Sequence, residues 1–192
     1  MKYTKNHTTQ RWFNRQAVRH VYDWVGALII ALIVLVLLFS LIFRVVEVSG
    51  NSMQPTLYNG DRLVLSAVNF AYVPGDIVVI DRYVKEPLVK RVVALEGDEV
   101  EITDTGILYI NGVQQYEAYI QGDIVQNDMV ESVTVPEGYV LVLGDNRADS
   151  LDSREDEVGL IPMEDLVGKV VFRIAPFSSF GSVYRNLENN LG

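Results

Sequence analysis

The chain has 192 residues, no cysteine and a formal net charge of -9. Without cysteine, thiol nucleophiles, disulfide staples and thiolate metal sites are excluded. Residues 1–44 carry six Lys/Arg against one acid, whereas residues 45–192 carry ten against 24, and so acidic a main region is unsuited to nucleic acid, whose phosphates need Lys and Arg partners.

Residues 24–43 form an uncharged apolar run of 20 residues beginning at Trp24. A helix of that length spans ~30 Å, the thickness of the hydrocarbon layer. Trp24 suits an interfacial anchor, and Lys2, Lys5, Arg11, Arg15 and Arg19 precede the run. That basic flank predicts a cytoplasmic N-terminus, residues 1–23, and an extracytoplasmic domain, residues 44–192. A cleaved secretory signal would have a shorter apolar core, ~7–15 residues, and small residues after it. Here Phe43-Arg44-Val45-Val46-Glu47 follows instead. A buried core helix of this length would need a polar face. The prediction is one retained transmembrane helix in a cell membrane.

Beyond the run, short segments rich in Val and Ile alternate with Gly, Pro, Asp and Asn. Residues 45–48, 62–65, 76–80, 88–95, 99–102, 107–110, 132–135, 139–143 and 169–174 read as strands. Asn111-Gly112 is a two-residue hairpin signal. Helical periodicity is weak and confined to residues 162–167. The fold class is mainly β: one transmembrane helix, then an all-β domain resembling a sandwich or barrel. Room remains for one soluble domain, with no second apolar run long enough to span.

A hydrolytic serine needs a base. The only histidines, His7 and His20, both precede the apolar run, so no Ser-His-Asp triad forms beyond it. Metal hydrolysis through His or Cys is equally unsupported, leaving only an all-carboxylate site open. A neutral lysine is the remaining serine activator. Three are available in residues 45–192: Lys85 in a loop, Lys169 at a strand start, and Lys90.

Lys90 lies within Leu88-Val89-Lys90-Arg91-Val92-Val93-Ala94-Leu95. On a strand it shares a face with Leu88, Val92 and Ala94. Desolvation there disfavours the ammonium and lowers the pKa, as a lysine base requires, and Arg91 would act in the same direction if close. Alternatively, Lys90 is an edge-strand lysine that blunts aggregation. Ser52 follows Gly50 and Asn51, which permit a tight turn able to aim backbone N–H groups at one point. It could equally be an ordinary juxtamembrane turn. Residues 144–154 hold three Asp, two Arg and two Ser after an apolar strand. They could form a solvated loop of surface ion pairs or a calcium loop, although Arg147 and Arg154 would repel a cation.

Together these segments resemble the bacterial type I signal peptidase family. Ser52-Met53-Gln54-Pro55-Thr56-Leu57 is similar to its serine box, Lys90 to Asp98 to its lysine box, and Gly144 to Arg154 to its Gly-Asp-Asn-Arg-x-x-Ser-x-Asp-Ser-Arg box. Order and spacing agree, as does an N-terminal anchor directly before the serine box. The resemblance covers roughly residues 24 to 175.

It implies a membrane-anchored serine endopeptidase with Ser52 as nucleophile and Lys90 as general base. It further implies that Ser150 holds the Lys90 amine, that Asp152 pairs with Arg154, and that Asp145 pairs with Arg91. Val48 and Val89 would line small pockets for the P1 and P3 residues. Met53 and nearby apolar residues would contact the bilayer and the substrate embedded in it. The implied partners are preproteins with Ala-x-Ala-like signal-peptide ends and the lipid bilayer, with no metal and no cofactor.

Some family members carry a serine at the position of Gly50, where its hydroxyl helps the oxyanion hole. Here the Ser52 N–H and a Gly50 backbone contact would do more. Ala94 and Glu96 stand where Gly and Pro are usual, and the chain length predicts a small second β-region. Three competing readings are a cytoplasmic self-cleaving repressor, an inactive anchored homologue that only binds export substrates, and a surface adhesin.

Overall fold

A computed structural model describes residues 7–68, 71–81, 87–120 and 130–184. The chain divides into two units, residues 1–42 and 43–192. The first is one helix, α1, His7–Ile42. Its segment Val18–Ile42 is long and apolar enough to cross a membrane, and none of it is buried against protein. The helix starts well before the apolar run because residues 7–25 contain neither Gly nor Pro to break it. It stops one residue early: Phe43, expected to be its last, opens the first strand.

The second unit is mainly β. Strands β1 (Phe43–Glu47), β2 (Arg62–Ser66), β3 (Ile77–Ile80), β4 (Leu88–Leu95), β5 (Glu99–Ile102), β6 (Leu108–Ile110), β7 (Val113–Gln114), β8 (Val130–Thr134), β9 (Tyr139–Leu143), β10 (Ile161–Pro162) and β11 (Leu166–Ala175) follow in order. They form a seven-stranded sheet, β1-β2-β11-β3-β4-β9-β10, and a four-stranded sheet, β7-β6-β5-β8. Every pairing is antiparallel. The second sheet is the small second β-region. At its tip Asn111 and Gly112 both have positive φ, 52° and 75°, and Ile110 pairs with Val113. Two consecutive positive φ angles give the turn whose twist matches the flanking strands, which Asn-Gly favours.

Residues 162–167 are not a helix. Met163–Asp165 make a single 3₁₀ turn, and Leu166 starts β11, three residues before the expected 169. Burial on the sheet outweighs a weak helical pattern there, since Leu166 joins the core with Val78, Ile80, Val92 and Val140. The short strand β10 carried no sequence signal of its own; it forms because Ile161 pairs with Val140.

Strand β4 lies between β3 and β9, with every residue from Val89 to Ala94 buried. It is not a half-exposed edge. The register slips between Val92 and Ala94 against β9. Val92 therefore packs with Val78 and Val142, while Ala94 packs with Val93, Val100 and Leu141. The expected common face of Leu88, Lys90, Val92 and Ala94 ends at Val92 because the bulge re-aims the strand. Beyond it the chain turns with Gly97 at φ +86° and Asp98 accepting from the Leu95 N–H. Glu96 does not disturb this turn; its carboxylate accepts the Gly138 N–H at 2.8 Å.

Candidate active site

The register of the large sheet gathers the three boxes. Arg91 pairs with Leu143, so Gly144 and the loop after β9 begin alongside Lys90. The turn between β1 and β2 carries Ser52. Lys90 Nζ lies 2.7 Å from Ser52 Oγ. Of the other two lysines of this unit, Lys169 pairs with Asp76 at 2.5 Å, and Lys85 lies outside the described residues.

Lys90 is 2% exposed. Burial pushes its pKa down to about 8; Asp152 opposes this and Arg154 adds to it. The depressing cation is thus Arg154 rather than Arg91, whose charge is spent elsewhere. Arg91 donates through Nε to Asp145 Oδ1 at 2.8 Å and through Nη2 to Asp145 Oδ2 at 2.6 Å, with Nη1 on the Gly75 carbonyl. This bidentate pair is fully buried.

Asp152 is fully buried. Burial alone would raise its pKa, but Arg154, the Gly144 N–H and the Ser150 hydroxyl hold it below the usual carboxylate range. Arg154 grips it bidentately, Nε to Oδ1 at 2.8 Å and Nη2 to Oδ2 at 3.0 Å. Ser150 Oγ donates to Asp152 Oδ2 at 2.6 Å. The hydroxyl is therefore turned toward the carboxylate, the stronger acceptor, and Lys90 takes Ser52 rather than Ser150 as its hydrogen-bond partner.

Gly50 has φ +87°, a conformation that glycine adopts without strain. Its N–H donates to Asn59 Oδ1 at 3.0 Å. That donor, for which an oxyanion contact was expected, is engaged with Asn59. The Ser52 N–H makes no hydrogen bond among the described residues.

Met53 is 1% exposed and packs with Val48, Leu57, Leu63 and Leu65. It is a core residue and not a bilayer contact; the tight turn that presents Ser52 folds the next side chain underneath. Val48 is likewise in this core. Val89 belongs to the same core and also lines a cavity of about 300 Å³ with Val46, Glu47, Ser49, Val79 and Pro87. Its walls come from residues next to Lys90 and three before Ser52. Among the described residues, no group of three or more His, Asp or Glu side chains is gathered to hold a metal.

Three residues of the site had no assigned role. Thr56 Oγ1 donates to Asp145 Oδ2 at 2.5 Å, Asn146 N–H donates to the Ser52 carbonyl at 2.9 Å, and Gly144 packs against both Ser52 and Ser150. All three lie inside the motifs, so a signal existed at the level of the motif but not of the individual side chain.

Comparison with known proteins identifies the family of the chain. A family model described as signal peptidase, peptidase S26, matches residues 21–175. Signal peptidase IB of Staphylococcus aureus (strain COL) is 35% identical over 182 residues, covering 84% of this chain and 93% of that one. Signal peptidase I of Bacillus licheniformis is 38% identical over 170 residues, covering 82% and 90%. A crystal structure of a signal peptidase I from Enterococcus faecalis V583 aligns with a TM-score of 0.44 at 29% identity, covering 52% of this chain and 97% of that one. The chain belongs to the signal peptidase family, serine peptidases that remove signal peptides.

Proposed function

We propose that this chain is a membrane-anchored endopeptidase in which Ser52 is the nucleophile and Lys90 the general base, cutting signal peptides from exported preproteins after small, Ala-x-Ala-like residues. The observation that carries this reading is the 2.7 Å separation of Ser52 Oγ and Lys90 Nζ inside a buried setting that favours the neutral amine. A neutral Lys90 accepts the hydroxyl proton as Ser52 Oγ bonds to the scissile carbonyl carbon. The carbonyl π electrons move to oxygen, and the Ser52 N–H is the donor free to stabilise that oxyanion. Collapse breaks the C–N bond, and protonated Lys90 returns its proton to the departing amine, the new N-terminus of the mature protein. The signal peptide is left as an ester on Ser52. Water then attacks this ester, again giving its proton to Lys90, and Ser52 regains its hydrogen as the peptide leaves.

Asp152 and Arg154 brace the environment that tunes Lys90. Asp145 fixes Arg91 on the opposite face of β4. The apolar cavity beside Val89 fits a small side chain preceding the cut, with Val48 supporting it from the core. The basic residues ahead of the apolar run favour an N-terminal segment, residues 1–23, in the cytoplasm. The span would then be residues 24–43 and the catalytic domain, residues 44–192, outside the plasma membrane. The bilayer would hold enzyme and substrate together.

The test is cleavage of a preprotein by the full chain in detergent. Ser52→Ala and Lys90→Ala are each expected to abolish cleavage while leaving the far-ultraviolet circular dichroism unchanged. Retained cleavage in either folded variant would sink the dyad.

A further inference from the structure

The small sheet contributes no atom to the Ser52–Lys90 pair, yet it sends one segment to the loop that supports it. After β7 the Gln115 N–H donates to the Leu108 carbonyl at 2.9 Å, fastening the chain to the small sheet. Residues 117–119 then reach the two guanidinium groups that flank residues 144–147. Glu117 Oε1 accepts from Arg147 Nη2 at 2.5 Å and from Tyr119 Oη at 2.7 Å. The Arg147 and Glu117 side chains are 5% and 9% exposed. The Tyr119 ring lies 4.0 Å from the Arg91 guanidinium carbon, a cation–π contact. Burial, and after it Glu117, raises the Tyr119 pKa, so the phenol keeps the proton it donates.

Each guanidinium holds the same short turn. Arg91 holds Asp145 bidentately. Arg147 Nε donates to the Gly144 carbonyl at 3.0 Å. Between them, the Asn146 N–H holds the Ser52 carbonyl. A buried guanidinium without its carboxylate is an uncompensated charge and would leave this position for solvent. Glu117 is the only acid paired with Arg147 among the described residues.

We propose that Glu117 and Tyr119 are positioning residues for the reaction, holding Arg147 and Arg91 so that residues 144–146 keep the Ser52 turn at bonding distance from Lys90. This rests on the dyad reading above. Neither side chain touches the reacting atoms, so their loss should lower turnover and spare substrate binding, which the cavity beside Val89 serves.

The experiment is steady-state cleavage of a preprotein by the full chain in detergent, well below the thermal midpoint of each variant. Glu117→Ala is expected to lower kcat about tenfold, with KM within about twofold, since sub-ångström misplacement of reacting groups is costly. Glu117→Gln keeps the acceptor oxygen and should recover kcat to within about threefold of the parent. Tyr116→Ala, on the same segment but 89% exposed, should change neither constant. A parental kcat in Glu117→Ala overturns the proposal. So does an equal loss in the Ala and Gln variants that matches their loss of folded fraction, or an equal loss in Tyr116→Ala. Should Glu117→Ala fail to fold, Tyr119→Phe decides: kcat lowered about threefold at unchanged KM supports the proposal, and an unchanged kcat overturns it. Ser52→Ala is assayed alongside. Cleavage by that variant would refute the dyad, whereas an inactive Ser52→Ala with a parental Glu117→Ala would refute only the positioning role.

Discussion

Thr56 Oγ1 donates to Asp145 Oδ2 across 89 positions of sequence, in a turn that begins at Ser52. At the other end of that turn, the Asn146 N–H holds the Ser52 carbonyl and Asn146 Nδ2 holds the Asn51 carbonyl at 3.2 Å. The loop after β9 therefore grips the Ser52 turn at both ends, through two adjacent residues. Lys90 comes from the neighbouring strand of the same sheet. The distance between Ser52 and Lys90 is thus fixed by one strand pairing, β4 with β9, and by three bonds from that loop.

Thr56→Val removes one of those bonds while keeping a β-branched side chain. A hydrogen bond to a charged acceptor contributes about 1.5–3 kcal/mol. We expect chemical denaturation to show a loss of that order and preprotein cleavage to fall more than about tenfold. Thr56→Ser retains the hydroxyl and should restore most of both. Parental activity in Thr56→Val would show that the bond does not set the geometry.

The pH dependence of kcat/KM should report Lys90. In the proposed dyad only the neutral amine accepts the Ser52 proton, so activity should climb with pH through a midpoint of about 8, well below an ordinary lysine. The Asp152 carboxylate favours the ammonium and opposes that depression. In Asp152→Asn this opposition is gone while the Arg154 charge remains, so the midpoint of the residual activity should move to lower pH. A midpoint at the usual lysine value in the parent, or a shift to higher pH in Asp152→Asn, would contradict the desolvation account.

The same burial has a stability consequence. Lys90 has an ordinary value of 10.5 when unfolded and about 8 when folded. Below the lower value both states hold the proton, and the folded state bears the full cost of a buried ammonium. Between the two values only the unfolded chain binds the proton, so stability rises with pH. The shift corresponds to about 3 kcal/mol. Lys90→Met should therefore be inactive yet more stable than the parent at pH 7, with the advantage fading by the time pH exceeds the unfolded value. An advantage independent of pH would mean that packing, not charge, is responsible.

Much of the fold was legible because β segments here are short, apolar and separated by turn residues. Residues 88–95, 99–102 and 139–143 were delimited as they stand. What the sequence concealed was tertiary. The bulge between Val92 and Ala94 depends on how β4 meets β9, and no local pattern encodes it. Met53 reads as a surface residue beside a membrane run, but the turn buries it. Gly50 offers an N–H that only the fold reveals to be taken by Asn59. At the site, the motifs located Ser52, Lys90 and the loop of residues 144–154. They could not say that Ser150 turns toward Asp152, nor that Glu117 and Tyr119, outside every motif, reach Arg147 and Arg91 from the other sheet.

Gly144 gives the most stringent test of how closely these parts are packed. Its backbone is not in the left-handed region that favours glycine, so the requirement is space alone. A Cβ placed there would lie 2.1 Å from Ser150 Oγ, 2.6 Å from Ser150 Cβ and 2.6 Å from the Ser52 carbonyl oxygen. Only the first contact can be relieved by rotating the Ser150 hydroxyl; the second is fixed by the Ser150 backbone, and the third is the backbone of Ser52 itself. Gly144→Ala must therefore push the Ser52 turn away from the loop or strain both. Overpacking of this kind costs about 1–3 kcal/mol, and a displacement of the order of 1 Å at a reacting group lowers the rate about a hundredfold. Adding Ser150→Ala removes the Oγ clash but leaves the contacts with the Cβ of residue 150 and with the Ser52 carbonyl. The double variant should accordingly regain some thermal stability and little cleavage. If Ser150→Ala instead restored cleavage to the level of the Ser150→Ala single variant, the obstruction would lie at Ser150, and the Ser52 turn would be looser than its bonds to Asn146 and Thr56 imply.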